Sequence, residues 1–242
     1  MCTVTYIPVK DTIFFTSNRD EKSWRRSALP PAIYEYSSGK IMFPKDSDAG
    51  GTWIAAHENG NVVVFLNGGF KAHVPEPPYR KSRGLILLDI IENTTPVNCF
   101  TAINLNRIEP FTAVLWDNKQ LFECRWDGAQ KHCSELDAAA NYIWSSVTLY
   151  DDQVIAKRKS WFDDFLNATP QPEQSEILGF HQFTGDGDTC NDLLMNREGK
   201  VGTVSITSVE IPPTSIEMNY LDVRNNESFS EVMVFESSIA GR

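Results

Sequence analysis

Cys2 sits one residue from the start of the chain, where its thiol is a candidate nucleophile. Cysteine suits such work because its thiolate attacks carbonyl carbon readily near neutral pH. Three further local features could assist it: Asn18-Arg19-Asp20-Glu21, Gly50-Gly51-Thr52-Trp53 and Asn67-Gly68-Gly69. Together they offer a guanidinium, carboxylates, an amide and glycines that leave room for a ligand. Each also has a structural reading. A cysteine at position 2 is compatible with an ordinary small residue starting a strand. Arg19 and Asp20 suit an ion pair closing a hairpin. Gly50–Trp53 suits a tight turn feeding a strand with a buried tryptophan, and Asn67-Gly68 is a common hairpin pair.

Other chemistries are less well supplied. His57, His73, His132 and His181 lie far apart, with no metal-ligand spacing among them, and none pairs obviously with a cysteine. Gly185-Asp186-Gly187-Asp188 lacks the later ligands of a calcium loop and reads as a polar loop. Neither a metal nor a cofactor is expected. Trp24-Arg25-Arg26 and Tyr79-Arg80-Lys81-Ser82-Arg83 are the notable basic clusters, suited to a substrate's anionic group or to solvated loops. Five cysteines without close pairing do not resemble a disulfide framework, so reduced thiols in a cytoplasm are expected.

The elements that must position these groups are mostly strands. Residues 2–8 and 12–17 are β-rich around a Lys10-Asp11 turn. Ile33–Tyr36 pairs with Lys40–Phe43, and Thr52–Ala56 with Asn61–Leu66, across Ser37-Ser38-Gly39 and Glu58-Asn59-Gly60. This predicts one β-meander over the first 67 residues. Leu85–Glu92 reads as a buried helix, Phe111–Trp116 and Gln120–Trp126 as a hairpin. Asp151–Ala168 is the clearest helix, opening on two aspartates and burying Val154, Ile155, Trp161, Phe162 and Phe165. Val201–Ile211, Ser215–Asp222 and Phe229–Phe235 close the chain as strands. Strands, then helices, then strands describe a layered α+β fold in one domain over residues 1–242.

Hydrophobic residues make up 41% of 242, enough for a large core. A net charge of −10 argues against nucleic acid and anionic membrane surfaces. No apolar run approaches the roughly 20 residues that span a bilayer, and the N-terminus lacks the pattern of a secretory signal.

In order from the N-terminus, Met1-Cys2, Asn18–Glu21, Gly50–Trp53 and Asn67–Gly69 resemble the NRDE-domain family of transport and Golgi organisation proteins. The likeness spans most of the first 90 residues and continues more loosely through Asn141-Tyr142 and Gly202-Thr203. The opening is also similar to bile-salt hydrolases and penicillin V acylases, which are N-terminal-nucleophile enzymes with a four-layer αββα sandwich of mainly antiparallel sheets. The resemblance implies that loss of Met1 gives Cys2 a free α-amine, with an ordinary pKa of about 7.7–8.0, to serve as base for its own thiol. Arg19 would favour thiolate, Asp20 would hold the amine, and Asn67 would donate to the oxyanion. Asn18, Gly68 and Ser146 fall to the substrate side. Ser146 stands where an asparagine is expected, and Val204 where an arginine is expected after Gly202-Thr203. The implied activity is hydrolysis of a C–N amide bond in a small molecule. The alternatives are a non-enzymatic carrier for haem or lipid-like ligands, or an interaction module whose site has decayed.

Overall fold

The computed structural model describes residues 3–235, so Cys2 lies outside the described residues. Fourteen strands and four helices are formed among them. The strands are β1 (Thr3–Val9), β2 (Thr12–Lys22), β3 (Leu29–Tyr36), β4 (Gly39–Lys45), β5 (Ile54–His57), β6 (Val62–Asn67), β7 (Phe111–Asp117), β8 (Gln120–Trp126), β9 (Lys131–Leu136), β10 (Tyr142–Ser145), β11 (Asn196–Arg197), β12 (Val201–Ile211), β13 (Ser215–Asp222) and β14 (Glu227–Val234). The helices are α1 (Arg83–Ile91), α2 (Pro96–Ala102), α3 (Asp152–Ala168) and α4 (Gln174–Phe183).

All strand pairs are antiparallel, in two seven-stranded sheets. One runs β10-β1-β2-β12-β13-β14, with β11 against β12; the other runs β3 to β9 in sequence order. The expected single meander is therefore corrected: after β2 the chain leaves the first sheet and starts the second. Alternation explains the layering. On β6, Val62, Val64 and Leu66 enter the core between the sheets, while Val63 and Phe65 face α1 and α2. On β1 and β2, Val4, Tyr6 and Phe15 enter the same inter-sheet core, while Ile7 and Phe14 meet Phe162, Ile177 and Phe180 of α3 and α4. Both sheets thus have a helix layer outside and the other sheet inside. This is the four-layer αββα sandwich.

Helix α3 begins where the two aspartates predict, with the Asp151 side chain accepting from the Val154 N–H. Its buried face differs from expectation. Phe162 is buried, but Val154, Ile155, Trp161 and Phe165 are only half-buried, and Arg158 takes the central position, fully buried. The thiol expectation also needs correction. Cys124 and Cys133 are paired as a disulfide, because the β8–β9 register sets them directly opposite, 4.1 Å apart at Cα. Cys99 and Cys190 are free. No helix among the described residues is long and apolar enough to cross a membrane.

The face of the first sheet under α3 and α4 carries Thr3, Thr5, Asn18 and Asp20, all buried, so each needs a partner. Asn18 donates its amide to the His181 and Leu193 carbonyls, which turns its Oδ1 toward His181 Nδ1 at 2.7 Å. Nδ1 therefore carries the proton, and Nε2 accepts from the Thr5 hydroxyl at 2.8 Å. Burial, and then the nearby Arg158 charge, push the His181 pKa from 6.5 down to about 3. Between those values the unfolded chain binds a proton that the folded one refuses, so stability falls as pH drops below 6.5. Urea unfolding of wild type and His181→Gln is expected to differ by a pH-dependent increment of roughly 1 kcal/mol per pH unit between pH 6 and 5. Parallel curves would show that His181 does not titrate on unfolding.

Candidate functional site

The β1–β2 register sets Thr3 opposite Asn18, so the hairpin returns the Asn18–Glu21 segment to the beginning of the chain. Strand β2 lies between β1 and β12 and is buried on both faces from Phe14 to Asp20. Successive residues there serve different layers. Asn18 faces α4, as described. Arg19 faces the other way, its guanidinium 4.7 Å from the centre of the Trp53 ring and donating to Asp46 Oδ2 at 2.7 Å. Asp20 accepts from the Tyr150 hydroxyl at 2.7 Å and from Thr203 Oγ1 at 2.5 Å. Opposite Arg19 and Asp20, β12 shifts register between Thr203 and Ser205, leaving Val204 in a bulge. Such bulges re-aim side chains, and this one puts Val204 beside the pair, where the resemblance expects an arginine.

A cleft of about 620 Å³ opens at the end of the sandwich. Arg19 lines it from the first sheet and Asn67 from the second, with Trp53, Phe65 and Leu85 as apolar wall. The Asn67 side-chain amide makes no hydrogen bond among the described residues, while its backbone carbonyl accepts from Ser146 Oγ at 2.9 Å. Ser146 follows β10, which pairs with β1, so this bond fastens the first sheet to the last residue of β6. Gly68 has φ +86, and a Cβ on it would meet Val147 and Thr148 at 2.6 and 2.8 Å. It is needed for close packing against the Ser146–Thr148 loop.

The structure thus brings Arg19 and Asn67 to one cleft. Asp20 is turned to Tyr150 and Thr203. Asn18 bonds to His181 of α4, on the opposite side of the strand from Arg19, because neighbouring residues on a strand face opposite sides. Gly68 and Ser146 stand behind Asn67, outside the lining of this cleft.

Sequence reasoning missed Asp46. Its carboxylate accepts from Arg19, from Arg25 at 2.8 Å, and from the N–H groups of Asp48 and Ala49. Burial alone would raise its pKa. The Ala49 N–H, Arg19, Arg25 and the Asp48 N–H outweigh that and hold it below the usual carboxylate value. Asp46 is an ionised anchor that fixes both arginines in the cleft wall. Tyr150 was missed too. Its ring lies 3.7 Å from the Arg158 guanidinium carbon and 5.4 Å from that of Arg197, and its hydroxyl orients Asp20. The Gly50–Trp53 motif has a packing reason. A Cβ on Gly51 would meet the Gly84 and Leu85 backbone at 2.4–2.8 Å, so this glycine lets the start of α1 close the cleft wall.

The fold has solved relatives. The structure is similar to that of a mutant conjugated bile acid hydrolase from Clostridium perfringens, with a TM-score of 0.61 and 11% identity, over 98% of this chain and 97% of that one. A second variant of that enzyme gives a TM-score of 0.60 at 11% identity over the same shares. An N-acylethanolamine-hydrolyzing acid amidase ortholog from Caenorhabditis elegans gives 0.59 at 12% identity, over 86% of this chain and 92% of that one. These likenesses establish the N-terminal-nucleophile hydrolase fold. Comparison with curated proteins gives no match. Residues 1–208 match the family Transport and Golgi organisation 2, and the chain belongs to that family.

Proposed function

We propose that the protein is an N-terminal cysteine amidohydrolase that cleaves a C–N amide bond of a small molecule after loss of Met1. The observation that carries this reading is the meeting of Arg19 and Asn67 in one cleft, with Arg19 on the strand that pairs with β1, and Thr3 of β1 follows Cys2 in the sequence. The structural similarity to two amide-hydrolysing enzymes supports it at the level of fold.

In the proposed reaction the Cys2 α-amine takes the thiol proton and Sγ attacks the amide carbonyl carbon. The oxyanion that forms accepts a hydrogen bond from the Asn67 amide. The ammonium then protonates the leaving nitrogen as the C–N bond breaks, leaving a thioester on Cys2. Water, deprotonated by the same amine, attacks the thioester and releases a carboxylic acid and the free thiol. Arg19 favours thiolate, and Asp20, oriented by the Tyr150 and Thr203 hydroxyls, holds the ammonium.

Competitive alkylation tests the nucleophile. Protein shown by intact mass to lack Met1 is treated with limiting iodoacetamide at neutral pH and mapped by peptide. Cys2 is expected to label first. Burial, and then Asp89, push the Cys99 thiol up, with Lys131 only partly opposing them, and Cys124 and Cys133 are paired with each other. Retention of Met1, or preferential labelling of Cys99 or Cys190, would remove the nucleophile and leave the carrier reading in its place.

A further inference from the structure

The cleft is locally cationic on an acidic chain. Among the described residues, five cationic and three acidic side chains line it, although the whole protein carries −10. Most of those cations are already matched. Arg19 and Arg25 share Asp46 and approach Glu21 at 3.8 and 3.7 Å. Lys81 is paired with Asp89, and Arg83 with Glu109.

Arg80 differs. Its backbone N–H donates to the Arg107 carbonyl at 2.8 Å. Its guanidinium is pinned by two neutral acceptors, the Asn104 and Asn106 carbonyls at 2.5 and 3.4 Å. No carboxylate among the described residues pairs with it. It is thus an exposed positive charge on the cleft wall, oriented by two carbonyls and matched by no carboxylate among the described residues. A second feature points the same way. Ser82, Arg83, Gly84 and Leu85 at the start of α1 also line the cleft, and that first turn carries no acidic residue to neutralise the positive end of the helix dipole. Beside them stands the Trp53 indole, whose N–H has no acceptor among the described residues.

We infer that the cleft selects an amphipathic organic anion, with Arg80 and the first turn of α1 receiving its carboxylate or an equivalent anionic group and Trp53, Phe65 and Leu85 taking its apolar part. This deepens the hydrolase reading and rests on the same cleft, but its test needs no turnover. A preorganised cation pinned by backbone carbonyls binds an anion with little ordering cost, because its side chain is already fixed.

The experiment uses 4-phenylbutyrate and its uncharged analogue 4-phenylbutanamide, titrated into ¹⁵N-labelled Cys2→Ser protein. The reporter is the Trp53 indole N–H resonance, assigned with Trp53→Phe. The acid is expected to shift it saturably and to bind at least tenfold more tightly than the amide. That preference is expected to shrink several-fold in 0.5 M salt. Arg80→Gln should abolish it, Arg80→Lys should retain part of it, and Lys159→Gln, exposed on α3 and not among the cleft's lining residues, should leave it intact. If Arg80→Gln perturbs the fold, Arg80→Lys and the salt titration of the unmodified cleft decide. Equal affinities for acid and amide, a preference indifferent to salt, or one that survives Arg80→Gln in folded protein would overturn the inference. Failure here with Cys2 still the preferred alkylation site discards the anion preference alone; failure of that labelling discards the hydrolase reading alone.

Discussion

Asn67→Ala is expected to lower kcat for an N-acyl aminomethylcoumarin amide by about 10²–10³-fold, the usual effect of removing one oxyanion donor. The KM should change less than threefold, because the bond to the oxyanion is made only in the transition state. The structure supplies the reason that this substitution isolates one step. The Asn67 amide faces the cleft without a hydrogen bond among the described residues, so no fold contact is lost with it. The backbone anchor from Ser146 goes to the Asn67 carbonyl and survives the change. Unfolding free energy should therefore stay within about 1 kcal/mol of wild type. Steady-state kinetics and urea unfolding on the same preparation check both halves. A kcat within threefold of wild type would take Asn67 out of the oxyanion site.

Arg158→Met should produce the largest loss of stability, roughly 3 kcal/mol. The guanidinium is fully buried and donates to Thr3 Oγ1, to the Asn191 carbonyl at 3.1 Å and to the Asp192 carbonyl at 2.7 Å, while stacking on Tyr150. Methionine fills most of the volume but donates nothing. The Thr3 hydroxyl can turn to another partner, while the two half-buried carbonyls lose their donor, and an unmet buried acceptor costs about 1–3 kcal/mol. Thermal unfolding should fall by about 6–12 °C for a chain of this size. A loss below about 1 kcal/mol would mean that water or a local shift replaces the guanidinium.

Strands with clean alternation and turn residues were legible in the sequence: β1 and β2 around Lys10-Asp11, β7 and β8 around Asn118. So was α3, marked by its paired aspartates. What escaped had weak local signals. Strand β9 (Lys-His-Cys-Ser-Glu-Leu) is an edge strand of mostly polar residues, none of them buried, and it carries no apolar period. Helix α4 opens on Glu173-Gln174-Ser175-Glu176, which reads as loop until its capping box is seen. The disulfide depends on the β8–β9 register, so missing β9 also meant missing the pairing of Cys124 and Cys133.

The site was legible in residue type but not in direction. Placing Asn18 and Arg19 on one strand already implies opposite faces, which separates a helix-facing amide from a cleft-facing guanidinium. Asp46 and Tyr150 sit in segments that look like ordinary turns. Their importance comes from partners 27 and 130 residues away, and no local pattern reports such distances.

The two sheets also differ in when a growing chain can build them. The second sheet, residues 29–136, pairs each strand with its sequence neighbour, and its one long closure, between β6 and β7, is filled by α1 and α2. The first sheet waits: Arg19 on β2 meets Ser205 on β12 only after the intervening 185 residues have been synthesised. Until then β2 presents an open edge bearing buried-type polar residues, and Asp20 lacks the Thr203 hydroxyl that orients it. Contacts of such long separation form slowly and late. A partly made chain is therefore expected to carry a folded second sheet and an unassembled site until β12 has emerged.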